Sequence, residues 1–230
     1  MHHFSRNFTR RDFLAAFAAG VPALIAYKEE ALRWVEDGDF LQELTRTPPL
    51  TEGPFYPDRL PLDTDNDLIV IAKSTTPAVG EITHLTGIVK NAKGDPIKNA
   101  IVEIWQVDNH GAYLHSGSAN KDKEDKNFQG FGRFETASDG AYKFRTIKPV
   151  AYPGRAPHIH MKVLKGTREL ITTQCHVKGD PRNSLDGVLN GVRDAKQRES
   201  VIVAFDPVKD SKLGELQARF DIVLGFTPTE

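Results

Sequence analysis

From Glu81 to Leu224 the apolar positions fall in short runs separated by turn signals, the pattern of strands rather than helices. Leu85–Lys90 reads as the first strand, followed by a Gly94-Asp95-Pro96 turn. Ala100–Val107 is apolar on both faces and reads as a buried strand. After an Asp139-Gly140 hairpin signal, Tyr142, Phe144 and Thr146 alternate with Lys143 and Arg145. His158–Leu164 and Leu170–Val177 flank a turn at Gly166, and Ser200–Phe205 and Arg219–Leu224 complete the set. Upstream, Lys28–Thr47 has helical spacing of Leu32, Val35, Leu41 and Leu44 with a break at Gly38. A Pro/Gly-rich arm, Pro48 to Pro57, follows it. The expected organisation is residues 1–27 as a leader, 28–80 as helix and arm, and 81–230 as an all-β sandwich of antiparallel strands.

Composition narrows the function. With 30 Lys+Arg against 31 Asp+Glu the net charge is −1, which excludes a broad electrostatic grip on nucleic acid. A single cysteine, Cys175, leaves no intrachain disulfide and no thiolate-built zinc or iron–sulfur site. No apolar run reaches the ~18–20 residues that a membrane span needs. The N-terminus carries Thr9-Arg10-Arg11-Asp12-Phe13-Leu14 before an Ala-rich stretch, the pattern of a twin-arginine export signal with Ala15 in place of the usual Lys. The expected partner is therefore the twin-arginine export machinery, and the expected location is periplasmic or secreted.

The sharpest chemical signal is His158-Ile159-His160. On a strand both imidazoles project from one face, with Cα atoms about 6.6 Å apart, close enough to share a metal. Few other ligands are near. Tyr152, six residues upstream, is the nearest oxygen donor, and Tyr113 follows the buried strand. A phenol with a free pKa of about 10 ligates well only to a hard, highly charged cation that displaces its proton, and ferric iron is the biological cation that most favours phenolate. Each tyrosine also has an ordinary reading as an aromatic packing residue; Tyr142, alternating with Phe144, and Tyr27, in the leader, are taken as structural.

Tyr152-Pro153-Gly154-Arg155-Ala156-Pro157-His158-Ile159-His160 closely resembles the signature of the intradiol ring-cleavage dioxygenases, the catechol and protocatechuate dioxygenase family. So do Phe131-Gly132-Arg133, Thr136 to Pro149, Val102 to Gln106 running on to Tyr113, and Thr51 to Pro57. The resemblance implies a transthyretin-like β-sandwich with one Fe(III) per chain, ligated by Tyr113, Tyr152, His158 and His160. It also implies active-site roles for Arg155, whose positive charge would stabilise carbanion character on bound catecholate, and for Gln174 beside the substrate. With the turn centred on Thr167, Gln174 falls opposite His160. Cys175-His176-Val177 departs from the family, which has apolar and aromatic residues there; His110, His115 and His176 are read as non-ligands, with His115 near the ligand set.

The chemistry implied by the resemblance is substrate activation. A catechol would displace a bound hydroxide and Tyr152 and bind iron as a dianion, one proton going to the hydroxide and one to Tyr152; dioxygen would then attack the ring, with a muconate-type diacid as the product. No Gly-rich dinucleotide fingerprint is present, and none is required. The run Gly87-Ile88-Val89 to Ala100-Ile101-Val102 with Asp139-Gly140 also resembles non-catalytic transthyretin-like and adhesin modules, which lack the two-Tyr, two-His set. A cupin-like oxygenase would want a Glu five to six residues after His-x-His, and this chain has none there. A homo-oligomer is compatible with the sequence.

Overall fold

The computed structural model describes residues 43–72 and 74–228; the leader and most of the expected helix lie outside the described residues. From Glu43 the chain forms one compact unit. Among the described residues ten strands build two five-stranded sheets. The first sheet contains β1 (Ile82–Asn91), β4 (Ala141–Ile147), β8 (Phe205–Pro207), β9 (Leu216–Arg219) and β10 (Ile222–Leu224). The second runs β3 (Phe131–Glu135), β2 (Ile101–Trp105), β5 (His158–Lys165), β6 (Arg168–Val177), β7 (Ile202–Val203). Both are mixed rather than antiparallel: β1 pairs in parallel with β9 and β10, and β6 with β7. Two short helices, α1 (Gly187–Asn190) and α2 (Ala195–Ser200), lie between β6 and β7. Among the described residues no helix is long and apolar enough to cross a membrane.

One core joins the sheets. Leu85, Val89, Phe144 and Ile222 of the first meet Val102, Ile104, Ile159, Met161, Val163 and Cys175 of the second. On β5 the alternation is strict: Ile159, Met161 and Val163 enter this core, so His158, His160 and Lys162 stand on the opposite face. There a second cluster forms from Trp105, Val107, Tyr113 and Phe131, covered by Phe55 and Tyr56 of the N-terminal arm and by Tyr152. That outer face of the second sheet, roofed by arm and loops, carries the candidate ligands.

Three local expectations are corrected. Glu43–Thr47 is not helical: Leu44 and Thr47 donate their N–H groups to the carbonyls of Ala92 and Val223, and Pro48 disfavours a helical Thr47. The run Ser200–Phe205 is not one strand, because at Ala204 the chain leaves β7 in one sheet for β8 in the other. Arg219–Leu224 is interrupted at Phe220-Asp221, where the Phe220 carbonyl takes the Tyr142 hydroxyl and the Asp221 carboxylate takes the Ile88 N–H. Gly87 makes this crossing workable, since any Cβ there would collide with the Phe220 carbonyl oxygen.

Candidate metal centre

Each candidate ligand is delivered by a distinct local device. His158 and His160 come from β5, whose neighbours set their flanks: Trp105 lies across from His160 on one side and Gln174 on the other, while His176 lies across from His158. Tyr113 is brought round by the loop after β2. Buried Asp108 accepts the N–H groups of His110 and Ala112 on one oxygen and that of Asp125 on the other, and Ser118 receives the Tyr113 N–H. Tyr152 and Arg155 face each other across a tight turn with Pro153 and Gly154 at its centre; the Arg155 N–H donates to the Tyr152 carbonyl at 3.0 Å. Gly154 has φ +80°, the conformation the third residue of a type II turn requires.

Three donor atoms converge. His158 Nε2 and His160 Nε2 are 3.1 Å apart, and Tyr113 Oη is 3.0 Å from His160 Nε2. Two ligands at about 2.1 Å from one metal and at right angles stand about 3 Å apart, so the spacing fits a shared cation. His158 Nδ1 lies 2.7 Å from the Ala156 carbonyl, which directs Nε2 inward as the lone-pair donor. His160 has no such partner on Nδ1; its ring instead lies flat against Trp105, centroids 4.8 Å apart. Phe55 stacks on Tyr113 at 5.1 Å, and the Tyr152 ring meets Tyr113 edge-on at 5.2 Å.

The electrostatics suit a cation. Burial first, then the charge on His160, drives His158 well below the ordinary imidazole value; burial and then Arg155 lower His160 to about 3. Both are neutral at pH 7, as a metal-binding imidazole must be. Burial raises Tyr113 well above 10, so a phenolate there needs a compensating positive charge. His158, His176 and Asp186 also bring ligand atoms within 4.8 Å of one another. The Asp186 carboxylate, however, already accepts four N–H donors, one from a guanidinium, which leaves the tyrosine–histidine set as the better cation site.

Arg155 and Gln174 stand beside this set. Arg155 donates through Nη2 to Gln174 Oε1 at 2.6 Å and through Nη1 to Tyr152 Oη at 3.4 Å, and Gln174 Nε2 donates to the Thr51 carbonyl at 2.8 Å. Of the remaining histidines, His110 is exposed, and His115 packs edge-on to Phe55, 5.7 Å away. Cys175 points into the main core, and His176 is buried behind His158, ring centroids 5.2 Å apart, with no hydrogen-bond partner on either nitrogen among the described residues.

A family model described as Dioxygenase matches residues 51–225. The protocatechuate 3,4-dioxygenase beta chain of Burkholderia cepacia is 35% identical over 170 residues, 70% of this chain and 71% of that one. The chain belongs to the intradiol dioxygenase family. Hydroxyquinol 1,2-dioxygenase of Corynebacterium glutamicum is 28% identical over 201 residues, 75% of this chain and 61% of the relative. The solved dioxygenase domain of a dioxygenase–carbohydrate-binding fusion from Streptomyces sp. SirexAA-E matches with a TM-score of 0.60 at 27% identity, covering 80% of this chain and 100% of that one.

The sequence of this dioxygenase does not by itself mark Trp105 as a support for His160, nor Asp186 as a partner of Arg155. The Asp186 signal was faint: an Asp just before Gly187-Val188-Leu189 is a helix-capping pattern, but its pairing with Arg155, 31 residues away, exists only in the fold.

Proposed function

We propose that this chain is a non-haem Fe(III) intradiol dioxygenase that opens a catechol-type ring with O2 to a muconate-type dicarboxylic acid. The observation that carries the reading is the convergence of Tyr113, His158 and His160 within hydrogen-bond distance on the covered face of the second sheet, with Tyr152 and Arg155 beside them. Tyr113, Tyr152, His158 and His160 are the proposed ligands of one ferric ion per chain, which, when bound, supplies the Lewis acidity that turns a catechol into a dianion. The scaffold is read as a transthyretin-like sandwich, supported by two sheets that share one core.

The chain's own residues divide the work. Tyr152 is only half-buried and lies on the wall of an open cleft of about 500 Å³ with Arg155, Asn120, Arg182 and Leu185, so it is the ligand that substrate reaches first. It is read as the group that leaves and accepts a catechol proton at Oη. Arg155 sets a fixed positive charge beside that oxygen, where electron density on the ring needs stabilising. Tyr113 and His160, clamped by Phe55 and Trp105, stay in place. Phe55 and Tyr56 of the arm pack over the cluster that holds Tyr113, and Gly53 lies close to the His160 ring. The Arg10-Arg11 pair supports export to the periplasm by the twin-arginine route.

Reaction under labelled dioxygen in unlabelled water tests the reading. Label is expected in the ring-opened diacid; a quinone product, or a diacid carrying no label, would overturn it.

A further inference from the structure

Asp186 is 1% exposed, yet its carboxylate is an anion with four donors. Oδ1 accepts the N–H groups of Val188 and Leu189 at 3.0 Å each and so caps α1. Oδ2 accepts Arg155 Nε at 3.0 Å and the Ala156 N–H at 2.9 Å. Burial alone would lift its pKa; the N–H groups of Leu189 and Ala156 and the Arg155 guanidinium outweigh burial and hold it below the ordinary carboxylate value.

This arrangement leaves Arg155 little freedom. Asp186 takes Nε, Gln174 takes Nη2, and Nη1 is aimed at Tyr152 Oη. Gln174 is itself tied to the arm at Thr51. Without Asp186 the guanidinium would keep one strong anchor, the neutral amide of Gln174, and could swing into the cleft that Tyr152 and Arg155 line together. We infer that Asp186 is the positioning residue of Arg155: it sets the guanidinium edge that faces Tyr152 and Gln174, and through it the place where positive charge meets the catechol ring. The kinetic consequence rests on the dioxygenase reading above; the geometric consequence does not.

Two substitutions separate capping from positioning. Asp186→Ser keeps a good helix cap but gives Arg155 no carboxylate. Asp186→Asn keeps size and the capping oxygen but turns an amide NH2 toward Nε and the Ala156 N–H, donor against donor. In the iron-free full chain, the Arg155 Nε–H and the Gln174 side-chain NH2 are followed by nitrogen-edited NMR. Wild type should show a slowly exchanging Nε–H; both variants should lose it and shift the Gln174 signals, while the amide signals of α1 persist in Asp186→Ser. An unchanged Gln174 signal in both variants overturns the proposal, whatever the enzyme does. In the iron-loaded chain, iron content should match wild type and kcat should fall about 10–100-fold, since a misplaced catalytic group costs up to about 10²-fold. In an Arg155→Lys background, Asp186→Ser should then change kcat much less. Equal losses in both backgrounds, or iron loss in step with activity, would make Asp186 a merely structural residue. If wild type itself cleaves no catechol, the functional reading fails while the NMR result still decides the hold on Arg155.

Discussion

Trp105 lies parallel to His160, the two ring planes 8° apart, and this stack stands in for the hydrogen bond that His160 Nδ1 lacks. A metal-binding histidine is usually oriented by a hydrogen bond on its second nitrogen. Here orientation depends on a flat surface, which Trp105 provides from the neighbouring strand, with Lys162 Nζ 5.7 Å from its ring centroid. Trp105→Leu should therefore weaken iron retention against a chelator by up to about tenfold, the worth of an aromatic pair, and Trp105→Phe should recover much of it. Equal chelator resistance in wild type and Trp105→Leu would show that the stack does not hold the ligand.

The tyrosines should separate on mutation. Tyr113 is buried and stacked, whereas Tyr152 is half-buried on the cleft wall. Tyr113→Phe should lose iron and the visible phenolate-to-iron absorption more severely. Tyr152→Phe should keep iron, bind catechol and turn over slowly. Near-wild-type rates with full iron in both would contradict the proposed division.

Among the described residues His176 is buried with both nitrogens unpartnered, which costs about 1–3 kcal/mol for a group that could have hydrogen-bonded to water. His176→Phe keeps the ring and removes the polar atoms. At pH 7.5 its urea midpoint should be at or above that of wild type; a drop of more than 1 kcal/mol in unfolding free energy, to order of magnitude, would mean that His176 makes a bond not visible in the fold.

Acid should destabilise the iron-free chain through the same imidazoles. Burial, only partly opposed by the Asp186 charge, lowers His176 to about 4 from an ordinary 6.5. His160 sits at about 3. Between those values and 6.5 the unfolded chain binds more protons than the folded one, so stability rises with pH in that window. Unfolding midpoints should fall as pH drops from about 6.5 towards 4 and be insensitive to these groups above it; the fall should be shallower in His176→Phe. A higher midpoint at pH 5 than at pH 7.5 would refute this.

Export can be read directly. Replacing Arg10 and Arg11 with Lys should leave the protein in the cytoplasm, because the twin-arginine translocase reads the pair. Fractionation showing unchanged export would mean that the N-terminal pattern is not the address.

The local pattern determined a good deal by itself. Alternation along β4 was legible because a strand with one face in the core must repeat every two residues, and the same rule put His158 and His160 on one face of β5. Gln174 does lie opposite His160, but not through a turn centred on Thr167: the hairpin closes at the pair Lys165–Arg168, and a register shift between Val163 and Leu164 brings Gln174 into line. The turn at Pro153-Gly154 rests on backbone angles that only a few residue types accept. What the pattern could not decide was which element pairs with which. A short apolar run such as Ile202 to Phe205 is equally apolar in either sheet, so the switch at Ala204 and the parallel pairing of β6 with β7 came only with the packed core. The same holds for the site's supports. Trp105 under His160 and Asp186 behind Arg155 join segments distant in sequence, and no periodicity encodes contacts that exist only once both sheets, the arm and α1 have closed around one face.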